Sequence, residues 1–544
     1  MKFCALLVTL GFLTSASLVA RDDEPHHREE LSEAQLGTVH FPSSCQSAVE
    51  KPIERGVAML HSFWYEEAES EFSRIEKSDP RCAIAHWGLA MSLWHQLWNQ
   101  PDIATLVRGG SELNQARGLS STPRERDYIA ALAAFYAHPR KPYRKRVAAY
   151  SNAMGRVYKR HGDDHEAAAF YALSLLAAEP DHDRDNQYRK KAARVLEPLF
   201  REEPNHPGVA HYLIHAYDKP DMALEGLAAA RRYAQIAPAA PHALHMPAHI
   251  FARLGLWQDD IDSNVRSIEA SQKEAREHMD GEGHEFHAMD FLVYAYVQTG
   301  READARKIVD AVRVMPRMHD MYGMGFDPRL FALSAFPASL ALELHRWSDA
   351  AQLELVSGAA DYDQSLTLTA RAIGAARSGS LDEARSDIAQ LEGIRRKLAA
   401  DKKNHEGPYD AVTDELTTAR AWLAFAEGKH EEGVHLLASL GGKEEGEAEA
   451  SQLIPTHEMI ADMLLEGGHA QEALREYETS LATDPGRFDS LYGAALAAEK
   501  AGRPEKSSQY YSALVKNCGG ATSERNELKH ARAAVSVEAK AASR

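Results

Sequence analysis

The sequence predicts an all-α protein built as a solenoid of stacked helical hairpins, and three observations carry that expectation. No segment of useful length alternates apolar and polar residues as a half-buried strand would. Positions recur at a step of 34 residues: His211 and His215 return as His245 and His249, Pro204 returns as Pro238, Ala192 is answered by Gly226, and Tyr217 by Phe251. A spacing of 12 residues from a small residue to a proline occurs four times, in Ala68 to Pro80, Ala192 to Pro204, Gly226 to Pro238 and Ala473 to Pro485. A small side chain lets a partner helix come close, and the proline marks the turn after it, so each unit reads as one helical hairpin.

At 544 residues the chain exceeds an ordinary single-core domain, but a solenoid grows by adding repeats. The content of 44% apolar and 26% charged residues excludes wholesale disorder. A net charge of -18, with no long basic stripe against it, argues against a nucleic-acid partner.

Along the chain, Lys2, an apolar run from Phe3 to Leu13 and small residues from Thr14 to Ala20 have the layout of a secretory signal peptide over 1–20. The run is too short for a stable membrane span, and the expected location is secreted or periplasmic. An N-terminal arm over 21–51 precedes hairpins over 52–160, a His-rich stretch over 161–315 and degenerate repeats over 316–440; Gly300 in the His-rich stretch, and Gly379 and Gly428 in the degenerate one, read as turns. Gly441 to Glu447 marks a linker over 441–450. A last pair of hairpins occupies 451–517, and 518–544 reads as a capping helix or tail. Cleavage would leave Cys45, Cys82 and Cys518; an oxidising compartment favours a Cys45–Cys82 disulfide, with two inert thiols as the alternative.

With Phe72 after Ala68, Trp87, Gly88 and Leu89 after Pro80, and Tyr477 after Ala473, the chain resembles the tetratricopeptide-repeat family, most clearly over 52–100, 187–315 and 451–517. The resemblance implies a right-handed α-solenoid whose first helices line a concave surface that binds a protein or peptide. It also implies that the residues seven and eleven after each proline line that groove. These are Trp87 and Met91, then His211 and His215, then His245 and His249. Lys219 and Arg253, 34 residues apart, resemble the basic element of a carboxylate-binding groove, without its full residue set.

A His-x-x-x-His pair puts two imidazoles on one face of a helix, and stacked repeats bring such faces together. His242 lies three residues before His245, and Asp218 three after His215; the next hairpin offers His284, His287 and Asp290, and the preceding one His165 and Glu166. The metal candidates are therefore His211, His215, His242, His245, His249, His287, Asp290 and Glu166, and the ligand-binding candidates Trp87, Met91, Asp218, Lys219 and Arg253. Imidazoles with carboxylates suit a transition metal, Zn, Cu or Fe, rather than Ca or Mg. A metalloprotease His-Glu-x-x-His is absent, as are nucleotide and serine-hydrolase motifs, so enzymatic activity is left open. The two His-x-x-x-His helices look like the ligand pattern of binuclear copper proteins of the hemocyanin and tyrosinase type, in the ligands alone. Two readings stand at this point: an exported scaffold binding a protein, peptide or small ligand on its concave face, and a metal-binding protein or metal-dependent enzyme. Pro247, between His245 and His249, threatens to kink the second pair out of alignment. Trp94, His95 and Trp98 form an aromatic patch that is either core or a ligand platform.

Overall fold

The computed structural model describes residues 31–542 except 98–99, 181–182, 184, 277–281, 317–326, 401–405 and 441–453. The expected signal segment, the first part of the arm, the expected linker and Trp98 lie outside the described residues.

Among the described residues the structure is helical with no strand, an all-α solenoid. Its first five hairpins pair Glu50–His61 with Tyr65–Ser78, Ala83–Ser92 with Ile103–Gly118, Pro123–Tyr136 with Tyr143–Arg160, His165–Ala177 with Gln187–Glu202, and Pro207–Tyr217 with Ala223–Ile236. The sixth sets Pro241–His245 and Pro247–Arg253 against Trp257–Arg276, and the seventh sets Glu282–Gln298 against Glu302–Val314. Ala68, Ala192 and Ala473 are fully buried in second helices, and the prolines 12 residues on stand in turns. The glycines expected as turns, Gly300, Gly379 and Gly428, all have positive φ, a conformation that glycine takes without steric cost.

The pairing of an aromatic ring with a glycine explains how closely the helices approach. A Cβ on Gly88 would stand 2.2 Å from the Phe72 ring, and one on Gly493 would stand 2.2 Å from the Tyr477 ring. Both glycines follow their aromatic partners by the same 16 residues, so the two ends of the chain use one packing device.

The superhelix is tight enough to close on itself. Helix Glu50–His61 of the first hairpin packs against helix Pro207–Tyr217 of the fifth, and one continuous apolar core runs from Leu36 to Phe251. A second closure joins the far end: Arg487, fully buried, donates to Glu458 at 2.7 Å, Glu343 at 3.0 Å and Tyr294 at 2.9 Å, while the Phe488 N–H donates to Gln298 at 2.7 Å.

The arm runs along the edge where the first helices begin. Thr38 donates its N–H to the Asn205 carbonyl at 3.0 Å, Ser44 bonds Glu125 through N–H and hydroxyl, and the Gln46 N–H reaches Asp79 at 2.8 Å. Phe41 stacks on Trp87 at 5.2 Å. Cys45 and Cys82 form a disulfide that fixes the arm to the second hairpin; Cys518 is a buried free thiol.

Closure and the arm together correct the expectation for Trp87 and Met91. Both are buried, Trp87 between Phe41, Tyr128 and Phe170, because the inner helices of the first five hairpins pack on one another and leave no open groove there. Trp94 is likewise core, stacked on Phe135 at 3.7 Å.

Candidate metal centre

Three first helices in succession carry the histidines, and the structure brings their imidazoles into two adjoining clusters. In the first, the His211 Nε2 lies 3.1 Å from both the His242 Nε2 and the His215 Nε2. In the second, the His245 Nε2 lies 3.0 Å from the His249 Nε2, and the His287 ring packs 4.4 Å from His245 and 5.6 Å from His249. In each trio the ligating atoms lie within 4.8 Å of one another.

The break at Pro247 does not undo the second pair. Proline has no N–H for the helical ladder, so the helix divides at Met246, but Met246 keeps φ -51 and ψ -34 and the course of the chain is held.

Hydrogen bonds behind the rings decide where the protons sit. The His211 Nδ1 faces the His61 backbone carbonyl at 2.7 Å, and only a ring N–H can serve that acceptor, so the His211 Nε2 carries a lone pair. Two other Nε2 atoms approach that single lone pair. In the second cluster, Asn264 uses its amide NH2 on Asp260, which turns its oxygen toward the His245 Nδ1 at 2.7 Å. The His249 Nδ1 faces the Asp218 carboxylate at 3.0 Å. Both Nδ1 atoms therefore donate, and two bare Nε2 lone pairs meet at 3.0 Å unless a cation, proton or metal, lies between them. Imidazole nitrogens sharing one ion at about 2.0–2.1 Å stand roughly 3.3–3.5 Å apart, within a few tenths of an ångström of the His211–His242, His211–His215 and His245–His249 separations.

Burial keeps the rings neutral, the form that binds a metal. Desolvation pushes the imidazoles of His211 and His284 down to about 3 and holds His215, His242 and His245 well below the usual histidine range, with neighbouring histidines adding to the effect. Each cluster is capped by one phenylalanine. Phe63 packs 4.4 Å from His211 and 5.4 Å from His242, and Phe291 packs 5.0 Å from His245 and 4.7 Å from His249. Phe63 holds φ 54, a left-handed conformation rare for a bulky side chain, which aims its ring into the cluster.

The remaining candidates have other places. Asp218 and Arg253, expected to bind a ligand, are partners of each other at 3.1 Å, and Asp218 also supports His249 from behind. Arg253 and His249 hold the Asp218 carboxyl well below the usual carboxylate range despite its burial. Lys219 is partly buried on the turn after helix Pro207–Tyr217. Asp290 is buried one turn beyond His287 on the same helix.

Glu166, expected among the metal ligands, stands apart from both clusters. Its two oxygens are taken by His61 at 2.7 Å and His206 at 3.0 Å, in a fully buried trio. The His206 Nδ1 accepts the Val209 N–H, so its Nε2–H donates to Glu166, while the His61 Nδ1 bonds the Tyr212 hydroxyl at 2.9 Å. That trio is satisfied by its own hydrogen bonds. It braces the first cluster, because His61 also supplies the carbonyl that fixes His211.

Sequence reasoning missed His61, Phe63, His206, Asn264 and Phe291. Only His61 and His206 belong to a residue type that would have drawn attention, and neither stands in a His-x-x-x-His pair.

Residues 65–96 and 458–522 match the model of the tetratricopeptide repeat. Over these two segments the chain carries tetratricopeptide repeats. Such repeats are in general protein- or ligand-binding modules with extended concave surfaces. No curated protein matches the chain. Among solved structures, the human IFIT1 dimer with PPP-AAAA is 13% identical, with 86% of this chain and 89% of that one covered and a TM-score of 0.36. The human IFIT1 dimer with m7Gppp-AAAA is 9% identical over 85% and 95% of the two chains, TM-score 0.34. The P58(IPK) TPR domain is 12% identical over 90% and 99%, TM-score 0.19. Similarity at this level fixes neither the course of the superhelix nor a ligand.

Proposed function

We propose that this repeat protein binds two transition-metal ions, one in the cluster of His211, His215 and His242 and one in that of His245, His249 and His287. The facing lone pairs of His245 and His249 carry this reading: their Nδ1 atoms are committed to Asn264 and Asp218, so a cation is needed between the two Nε2 atoms 3.0 Å apart. An all-imidazole donor set suits Zn, Cu or Fe. Three protein ligands leave a coordination position open, as in catalytic rather than purely structural zinc sites, and a bound ion there would supply Lewis-acid or redox chemistry. The chain's part is to hold neutral imidazoles converged, to orient them through the His61 carbonyl, Asn264 and Asp218, and to keep water out with Phe63 and Phe291.

This reading displaces a peptide laid along the inner helices as the main role, since the groove positions Trp87, Met91, His211 and His245 are buried by the chain itself. A protein partner on another surface remains compatible with the repeats. The location is proposed as secreted or periplasmic, supported by the Cys45–Cys82 disulfide, which an oxidising compartment preserves. The test is elemental analysis of the untagged full chain, then of a His211→Ala, His245→Ala double variant with unchanged helicity. About two ions per chain lost in the variant supports the proposal; a metal-free chain that takes up no Zn, Cu or Fe on titration refutes it.

A further inference from the structure

The two clusters are stitched together by the helices that build them. On helix Pro241–His245, His242 faces the first cluster and His245, three residues on, belongs to the second. The next first helix repeats the arrangement: His284 packs against His242 at 5.4 Å, while His287 packs against His245 at 4.4 Å. Residues three apart on a helix are neighbours on one face, with Cβ atoms about 5–6 Å apart, so two helices independently set the clusters side by side. The His242 and His245 ring centroids are 6.2 Å apart, in agreement.

The surroundings limit what fits between two ions held there. Phe63 closes the first cluster and Phe291 the second, so neither offers room for a bulky ligand beneath its own ion. The imidazoles that reach the surface are His215, His249 and His287, one from the first cluster and two from the second, with the His249 side chain 11% exposed. A ligand entering on that side meets both clusters together.

From this juxtaposition we infer that the clusters form one binuclear centre whose two ions share a small bridging anion of two or three atoms. The inference rests on the proposed metal binding and adds that the ions act as a pair. The 6.2 Å between the His242 and His245 ring centroids exceeds the roughly 3.5–4 Å between ions bridged by a single oxygen, and a two- or three-atom bridge suits clusters set that far apart. Asp218, the carboxylate bonded to His249, is engaged behind that ring at its Nδ1 and with Arg253.

The experiment uses metal-free full-length protein loaded with Cu(II) and titrated with azide, a three-atom bridging probe, and followed by electron paramagnetic resonance and total copper. Two coppers per chain, with azide binding at one per pair and the copper signal falling at least fivefold as the ions couple, is the expected result. Full signal from both coppers throughout, with azide binding at one per copper or not at all, overturns the inference and leaves metal binding intact. No copper bound overturns both. His242→Gln and His287→Gln, checked for helicity, should each bind one copper whose signal azide does not abolish. Loss of signal in either single-site variant also overturns the pairing.

Discussion

Acid should unfold the metal-free protein well before it unfolds an ordinary helical repeat, and the histidine clusters set the size of the effect. The imidazoles of His211 and His284 titrate near 3 in the folded protein because burial disfavours their charged form, against about 6.5 in an unfolded chain. A depressed folded value contributes stability above the unfolded pKa that is lost as pH falls through the window from about 6.5 to about 3, since the unfolded chain then binds protons the folded one refuses. At pH 5 each such group has cost the folded state about 2 kcal/mol, so this pair costs about 4 kcal/mol. His215, His242 and His245 shift the same way, whereas His206 is raised by Glu166 and opposes the trend as a single group. Against a total of about 5–15 kcal/mol for a typical domain, the His-rich hairpins should open near pH 5. Hydrogen exchange of helices Pro207–Tyr217 and Glu282–Gln298, corrected for intrinsic rates, measures this region by region. Protection should fall by several kcal/mol between pH 7 and 5, and less steeply in a His284→Leu variant. Protection independent of pH over that range would refute the reasoning.

Three further outcomes follow from the same contacts. Asp218→Asn keeps an acceptor for His249 but weakens the pairing with Arg253, and loss of such a supporting group lowers metal affinity about 10–100-fold; competition with a chelator reads this directly. Gly208→Ala places a methyl carbon 2.4 Å from the His61 Nδ1, where an overpacked core loses about 1–3 kcal/mol; a lower melting temperature and weakened metal binding are expected together, since His61 fixes His211. Cys45→Ser opens a loop of 37 residues, worth about 3–4 kcal/mol by chain entropy, and should expose the arm to limited proteolysis before the sixth hairpin responds.

What the sequence made legible was whatever repeats at short range. The 34-residue step placed the hairpins, and a spacing of four put His211 with His215 and His245 with His249, because one helical turn is a local property. His242 and His287 were reachable by extending that face by helical spacing. Trp87 and Met91 were misplaced because the same register describes an open superhelix and a closed one, and what distinguishes them is contact between residues far apart in the chain. The two supports that orient His211 and His245 were invisible for different reasons: the His61 carbonyl belongs to the backbone, which no motif records, and Asn264 sits on a second helix outside the histidine pattern.

The closure of the first hairpin onto the fifth has a consequence for how the molecule is made. In an open array each repeat finds its partner in the next one synthesised. Here His61 and His211 meet across 150 residues, so at about 5–20 residues per second His61 leaves the ribosome about 8–30 s before its partner. Through that interval Phe63, fully buried in the finished protein, has no histidine cluster to cover. The N-terminal hairpins therefore emerge as unfinished surface; the fifth closes the ring, and the first set of imidazoles is complete only when His242 follows on the sixth.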